Sequence, residues 1–217
     1  MGDKSDSLRL AELICARLCH DLAGPIGALL GILEIVREQQ PDSEEATLAE
    51  EMAFAAAERL KLLRAAWSQD GDGLDMPRLR AATAHLTTGR KIRLDIEGLE
   101  PDTVFPPGAA RMILNLLLLA AQSMPGGGDI ALSAGGRGNV LLTISGPRAA
   151  WPVGLATWLV DDTAAWETAV SDMRNLQAAL TALLARDHGF RVSMLMPAGA
   201  GDDMEGAPPL LVQLGAG

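Results

Sequence analysis

His20 is the residue of this chain whose type and setting most suggest chemistry. A neutral imidazole offers a nucleophilic lone pair near pH 7, and it can carry a covalent group. The residues around it read Arg17-Leu18-Cys19-His20-Asp21-Leu22-Ala23-Gly24-Pro25-Ile26-Gly27, and Gly31 follows one turn on. Ile14, Leu18, Leu22, Ile26, Leu29, Leu33 and Val36 recur at steps of three and four, the apolar stripe of a helix. At about 100° per residue, His20 lies roughly 170° from the centre of that stripe, so it is expected on the solvent face. Gly24, Gly27 and Gly31 share its face. Three helix-interior glycines cost about 3 kcal/mol relative to alanine, which asks for a reason. A face stripped of side chains beside a histidine lets another protein reach the imidazole, and Arg17 is placed to meet a phosphate or an acidic partner loop. The plainer alternative, an idle surface histidine above a glycine packing seam, stays open on these residues alone.

Other chemistries fit less well. Cys15 and Cys19 are the two cysteines. They lie on the core side of the same helix while His20 points away, so one metal or haem cannot collect all three. Cys19, His20 and Asp21 splay by about 100° each and make no hydrolytic triad. His85 and His188 are too distant in sequence to complete a metal-dependent phosphohydrolase. Gly126-Gly127-Gly128 and Gly135-Gly136 carry no lysine motif and read as turns rather than a phosphate loop. Glu44, Glu45, Glu50, Glu51 and Glu58 read as a solvated helix face, and Trp151, Trp158 and Trp166 as packing residues.

The elements that must position His20 follow from periodicity. Residues 8–38 predict one long helix, ended by Gln39-Gln40-Pro41. Asp42 with Glu45 suggests a capping box for a second helix over 43–68. A short loop makes the two an antiparallel hairpin that cannot cover both apolar stripes by itself. Two hairpins from two chains form a four-helix bundle, so a homodimer is expected. Asp70-Gly71-Asp72-Gly73 reads as a linker. Beyond it the patterns predict a helix at 76–88, a strand at 91–97, a strongly apolar helix at 107–123 and strands at 129–134 and 139–145. A short helix near 153–160, a longer one at 164–187 and a closing strand at 190–196 complete an α+β sandwich. This divides the chain into a hairpin that dimerises and carries His20 (1–70), the sandwich (75–197) and a Gly/Pro-rich peripheral tail (198–217).

A formal charge of −10 and 48% apolar residues over 217 positions predict a folded chain and argue against nucleic-acid or anionic-membrane partners. The longest apolar run, Met112 to Ala121, is broken by Asn115 and falls short of a membrane span. The polar start and the scarcity of cysteine point to the cytoplasm.

Residues 19–29 resemble the phospho-acceptor box of histidine kinases: a histidine, an acid, an apolar residue, then a proline five positions after the histidine and another apolar residue. His20, Asp21, Leu22, Pro25 and Ile26 fit it. The second half resembles the kinase ATP-binding domain with its ligand sets erased. Asn115 fits the first asparagine of the asparagine box, but Leu119 stands where the Mg²⁺-binding one belongs. Ser145-Gly146-Pro147-Arg148 replaces the adenine-binding Asp-x-Gly-x-Gly loop. Asp172 to Gln177 replaces the glycine-rich phosphate loop. Together these resemble the ChpT-type histidine phosphotransferases of bacterial phosphorelays, over residues 8–197. The resemblance implies a dimeric four-helix bundle and a degenerate kinase-like domain that uses no ATP. It implies His20 as nucleophile for a phosphoryl group taken from the receiver domain of a hybrid histidine kinase and passed to response regulators. Asp21 would then accept the other ring N–H, Arg17 and the three glycines would dock the partner, and Mg²⁺ would come with the receiver's own acidic pocket. The competing expectations are an ATP-dependent sensor histidine kinase with a drifted site and a non-catalytic docking scaffold.

Overall fold

The computed structural model describes residues 2–40, 42–67, 73–87, 91–195 and 207–215; the side chains of residues 2–6, 8–10, 12–14, 16, 17, 21, 85 and 87, with Arg17, Asp21 and His85 among them, lie outside what it describes. Helix α1 (Gly2–Gln39), with Pro25 inside it, runs antiparallel to helix α2 (Glu44–Trp67). Ser43 starts α2: its hydroxyl accepts the Ala46 amide at 3.1 Å, so the cap falls one residue after the expected Asp42. Arg37 meets Glu50 at 3.0 Å beside the connecting turn. That pair fixes the register, placing Leu33 roughly level with Phe54, and His20 roughly level with the Ala66–Trp67 end of α2.

The sandwich contains β1 (Leu74–Asp75), α3 (Met76–Thr87), β2 (Ile92–Gly98), β3 (Val104–Phe105), α4 (Pro107–Gln122), β4 (Gly128–Gly136) and β5 (Asn139–Ser145). It continues with α5 (Leu155–Trp158), α6 (Asp162–Ser171), α7 (Leu176–Asp187), β6 (Arg191–Met194) and β7 (Leu210–Gln213). The main sheet has the order β2-β4-β5-β7-β6, with β2 parallel to β4 and every other neighbour antiparallel; β1 and β3 form a separate pair that sequence patterning missed. Alternate residues point inward: Ile130 pairs with Ile144 and Leu132 with Leu142, all buried. Helix α4 is buried on every side from Ala109 to Ala121, as its largely apolar sequence demands, and the polar Arg111 and Asn115 are buried with it. Gly127 takes φ +80°, and a side chain there would collide with the Lys91 carbonyl, so this glycine run serves the tight turn from α4 into β4, packed against the start of β2.

Three expectations need correction. The tail beyond residue 198 is not wholly peripheral. Its residues 210–213 insert between β5 and β6, Leu210 and Val212 are fully buried, and Trp151 Nε1 donates to the Pro208 carbonyl at 2.7 Å. The Gly/Pro-rich composition of the segment hid a four-residue alternation. The helix expected over 164–187 is two, because Asp161 caps α6 through the amides of Thr163 and Ala164, and Asp172 ends it. The Asp172 carboxylate accepts from the Asn175 side-chain amide at 2.8 Å and the Arg174 backbone amide at 2.9 Å, which holds its pKa below the usual carboxylate value. Finally, Leu18–Gln39 does reach a length and hydropathy (22 residues, 1.4) sufficient to cross a membrane, although charged residues interrupt it. That segment also carries His20, Asp21, Glu34, Arg37 and Glu38.

Candidate functional site

Cys19 is buried, and Ala53 of α2 is buried likewise; these two residues mark the line along which the helices meet. Burial raises the Cys19 thiol pKa, with Arg64 opposing it, so the thiol stays protonated and inert. One step along either helix turns about 100° away from the contact line. Because the helices run antiparallel, the residue after Cys19 and the residue after Ala53 turn to the same flank, and the residues before them turn to the other. The hairpin therefore has two chemically different sides.

One side is apolar and open to solvent. Leu18, Leu22, Leu29 and Val36 of α1 lie there with Met52 and Leu48 of α2; Leu18 is 56% exposed and Met52 67%. The stripe seen in the sequence is thus wider than one neighbouring helix, and α2 covers only its edge. The other side carries His20, exposed, with Gly24, Gly27 and Gly31 along the same face. Nothing approaches within 4 Å of where a Cβ on any of the three would stand. These glycines therefore do not mediate packing within the chain. The fold brings His20 and the three glycines onto one open face; the side chains of Asp21 and Arg17, the two other candidates, lie outside the described residues. Phe54 was not singled out from sequence, yet it shares this flank as an exposed aromatic. Its signal was available: it is the one aromatic residue in an otherwise alanine- and glutamate-rich stretch of α2.

In the sandwich, the three segments where a kinase would hold nucleotide converge on one cavity of about 270 Å³. Leu119, Ser123, Arg148, Arg174 and Asn175 are among the residues lining it, and none of its lining residues is a carboxylate. Asn115 does not face this cavity as a ligand. It is fully buried, its amide donates to the Ala66 carbonyl at 2.8 Å and the Arg111 carbonyl at 2.9 Å, and its oxygen accepts from Gln177 at 3.0 Å. The asparagine thus caps the last turn of α2 and bolts the hairpin to α4 and α7. Among the described residues, no group of three His, Cys, Asp or Glu side chains could hold a metal ion.

The sandwich defines the class. The family described as Histidine phosphotransferase C-terminal domain matches residues 76–199, more than half of the chain, and the chain belongs to that family. It is a histidine phosphotransferase of the two-component phosphorelay type. Among curated proteins it is similar to the protein phosphotransferase ChpT of Brucella abortus (strain 2308), with 26% identity over 194 residues, 87% of this chain and 90% of the relative. Among solved structures it is similar in fold to a bacterial phosphotransferase determined at 1.7 Å, with a TM-score of 0.59 and 20% identity, covering 98% of this chain and 96% of that one.

Proposed function

We propose that His20 is the phosphoryl acceptor, taking the group from an aspartyl phosphate of one receiver domain and returning it to the aspartate of a response regulator. The observation that carries this reading is the exposed His20 set beside three unobstructed glycines on one flank of the hairpin. The neutral imidazole attacks phosphorus in line. The N–P bond forms as the acyl-phosphate P–O bond breaks, and the receiver carboxylate leaves with the electron pair. The second ring nitrogen keeps its proton, and Asp21, next in sequence, is the residue proposed to accept that N–H and support the positive charge that develops. Arg17 is proposed to meet the phosphoryl or the acidic rim of the receiver. Mg²⁺ in this scheme is held by the receiver's acidic pocket and offsets charge on the phosphoryl oxygens.

The same reading makes the sandwich a degenerate kinase domain that binds no ATP. Leu119, buried at 1% exposure, offers no Mg²⁺ ligand, and the cavity beside it has no carboxylate in its lining. Calorimetry with Mg·ATP at physiological concentration should give no binding heat. A micromolar dissociation constant would instead favour an ATP-dependent sensor histidine kinase.

The open apolar flank is proposed to close against a second copy, giving a dimeric four-helix bundle in the cytoplasm. Its composition explains why α1 passes a membrane-length test: a bundle helix must be apolar toward two neighbours. Light scattering should give twice the chain mass of 22.8 kDa, and the double substitution Leu22→Glu with Leu29→Glu, on that flank, should halve it. A wild-type monomer at micromolar concentration contradicts the bundle.

A further inference from the structure

The flank that carries His20 has a second feature, 54% exposed: Phe54 of α2. The other two phenylalanines, Phe105 and Phe190, pack into or against the core. Phe54 follows Ala53 as His20 follows Cys19, so both project to the same side of the hairpin. The Arg37–Glu50 pair sets Phe54 level with the Gly31–Leu33 turn of α1. Gly31 lies about 16 Å along the helix from His20, at ~1.5 Å per residue. A bare glycine track therefore runs from the imidazole toward an aromatic ring.

The surroundings of that ring are acidic. By helical position Glu34 and Glu38 of α1 fall on this flank with Glu50 and Glu58 of α2; Glu50 is paired with Arg37 and Glu58 with Lys61, which leaves Glu34 and Glu38 as the excess of negative charge. An exposed aromatic with acidic residues beside it fits the centre-and-rim layout of protein interfaces. A ligand of small-molecule size cannot touch His20 and Phe54 together, whereas a folded domain can. The acidic rim selects a basic complement.

We infer that Phe54 is a specificity anchor for the receiver domain that exchanges phosphoryl with His20. The receiver meets it with an apolar patch rimmed by lysine or arginine, while its active-site aspartate reaches the imidazole. This rests on the His20 reading. It adds that discrimination among receivers is exercised at the turn-proximal end of the hairpin, away from the reacting atoms.

The test compares the full-length wild type with Phe54→Ala and Phe54→Leu, using an isolated receiver domain, charged with acetyl phosphate, that labels the wild type. Phe54→Ala should raise the receiver KM and Kd by roughly ten- to a hundredfold and leave the saturating transfer rate within about twofold. Phe54→Leu should recover most of the loss. Labelling by phosphoramidate, a donor too small to reach the ring, should be unchanged in both variants. A KM within about twofold of wild type in Phe54→Ala overturns the inference, as does a loss of phosphoramidate labelling or of the wild-type oligomeric state in that variant. If no charged receiver labels the wild type, or if its His20→Ala variant is labelled equally, the His20 reading itself fails and this inference falls with it.

Discussion

His20→Ala should lower phosphoryl acceptance from a charged receiver by at least ~10³-fold while leaving receiver affinity within about threefold, because the substitution removes the proposed nucleophile and little of the proposed docking face. Gly27→Arg should do something different. Gly27 is exposed and nothing stands within 4 Å of the position its Cβ would take, so the protein itself can accept a side chain there. Arginine is the better helix former by nearly 1 kcal/mol, and the melting temperature should hold or rise slightly. The long side chain projects into the space a receiver must enter, so binding and transfer are both lost. One variant then separates chemistry from docking, and the other abolishes both. If Gly27→Arg melts the protein, the glycines are packing residues in the assembled bundle, and the docking role assigned to them is wrong.

The second large effect is on stability. Val212 of β7 is fully buried and pairs with Val140 of β5 on one side and Val192 of β6 on the other, both buried. Val212→Asp places an uncompensated carboxylate in the middle of the sheet. The cost is at least ~3 kcal/mol, a large part of the ~5–15 kcal/mol that holds a typical domain. At about 2–4 °C per kcal/mol for a chain of this size, the melting temperature should fall by roughly 6–12 °C or more. Gln213→Glu, one residue on at a half-buried position, should cost well under ~1 kcal/mol. A Val212→Asp variant with an unshifted melting curve would show that β7 contributes nothing to the fold.

Much of this architecture is legible in the residues because helix and strand periods are local. The spacing of Leu18, Leu22 and Leu29 sets α1, and the alternation through Val140, Leu142 and Ile144 sets β5 with its observed bounds. What escaped is non-local or too short for a period to show. Strand β7 has four residues and is recognisable only by the sheet gap it fills. The break between α6 and α7 depends on one carboxylate, Asp172, which takes the Arg174 backbone N–H from the helix ladder and accepts the Asn175 side-chain amide as well. At the site, the face of His20 was legible from the 100° step alone. Which flank Phe54 occupies was not, since it requires the register between two helices. Asn115 shows the opposite failure: its position matched a ligand motif, but its hydrogen bonds tie α2 to the sandwich instead.

The central claim is that phosphoryl resides on His20. Its most direct test is to incubate the wild-type chain with a charged receiver domain, digest under neutral conditions, and map the phosphate by mass spectrometry. The expected result is a single acid-labile, alkali-stable phosphohistidine on the peptide containing His20, with no label on His85 or His188. Label on either of those histidines instead, or on no histidine while the receiver loses its phosphate to water, would contradict it.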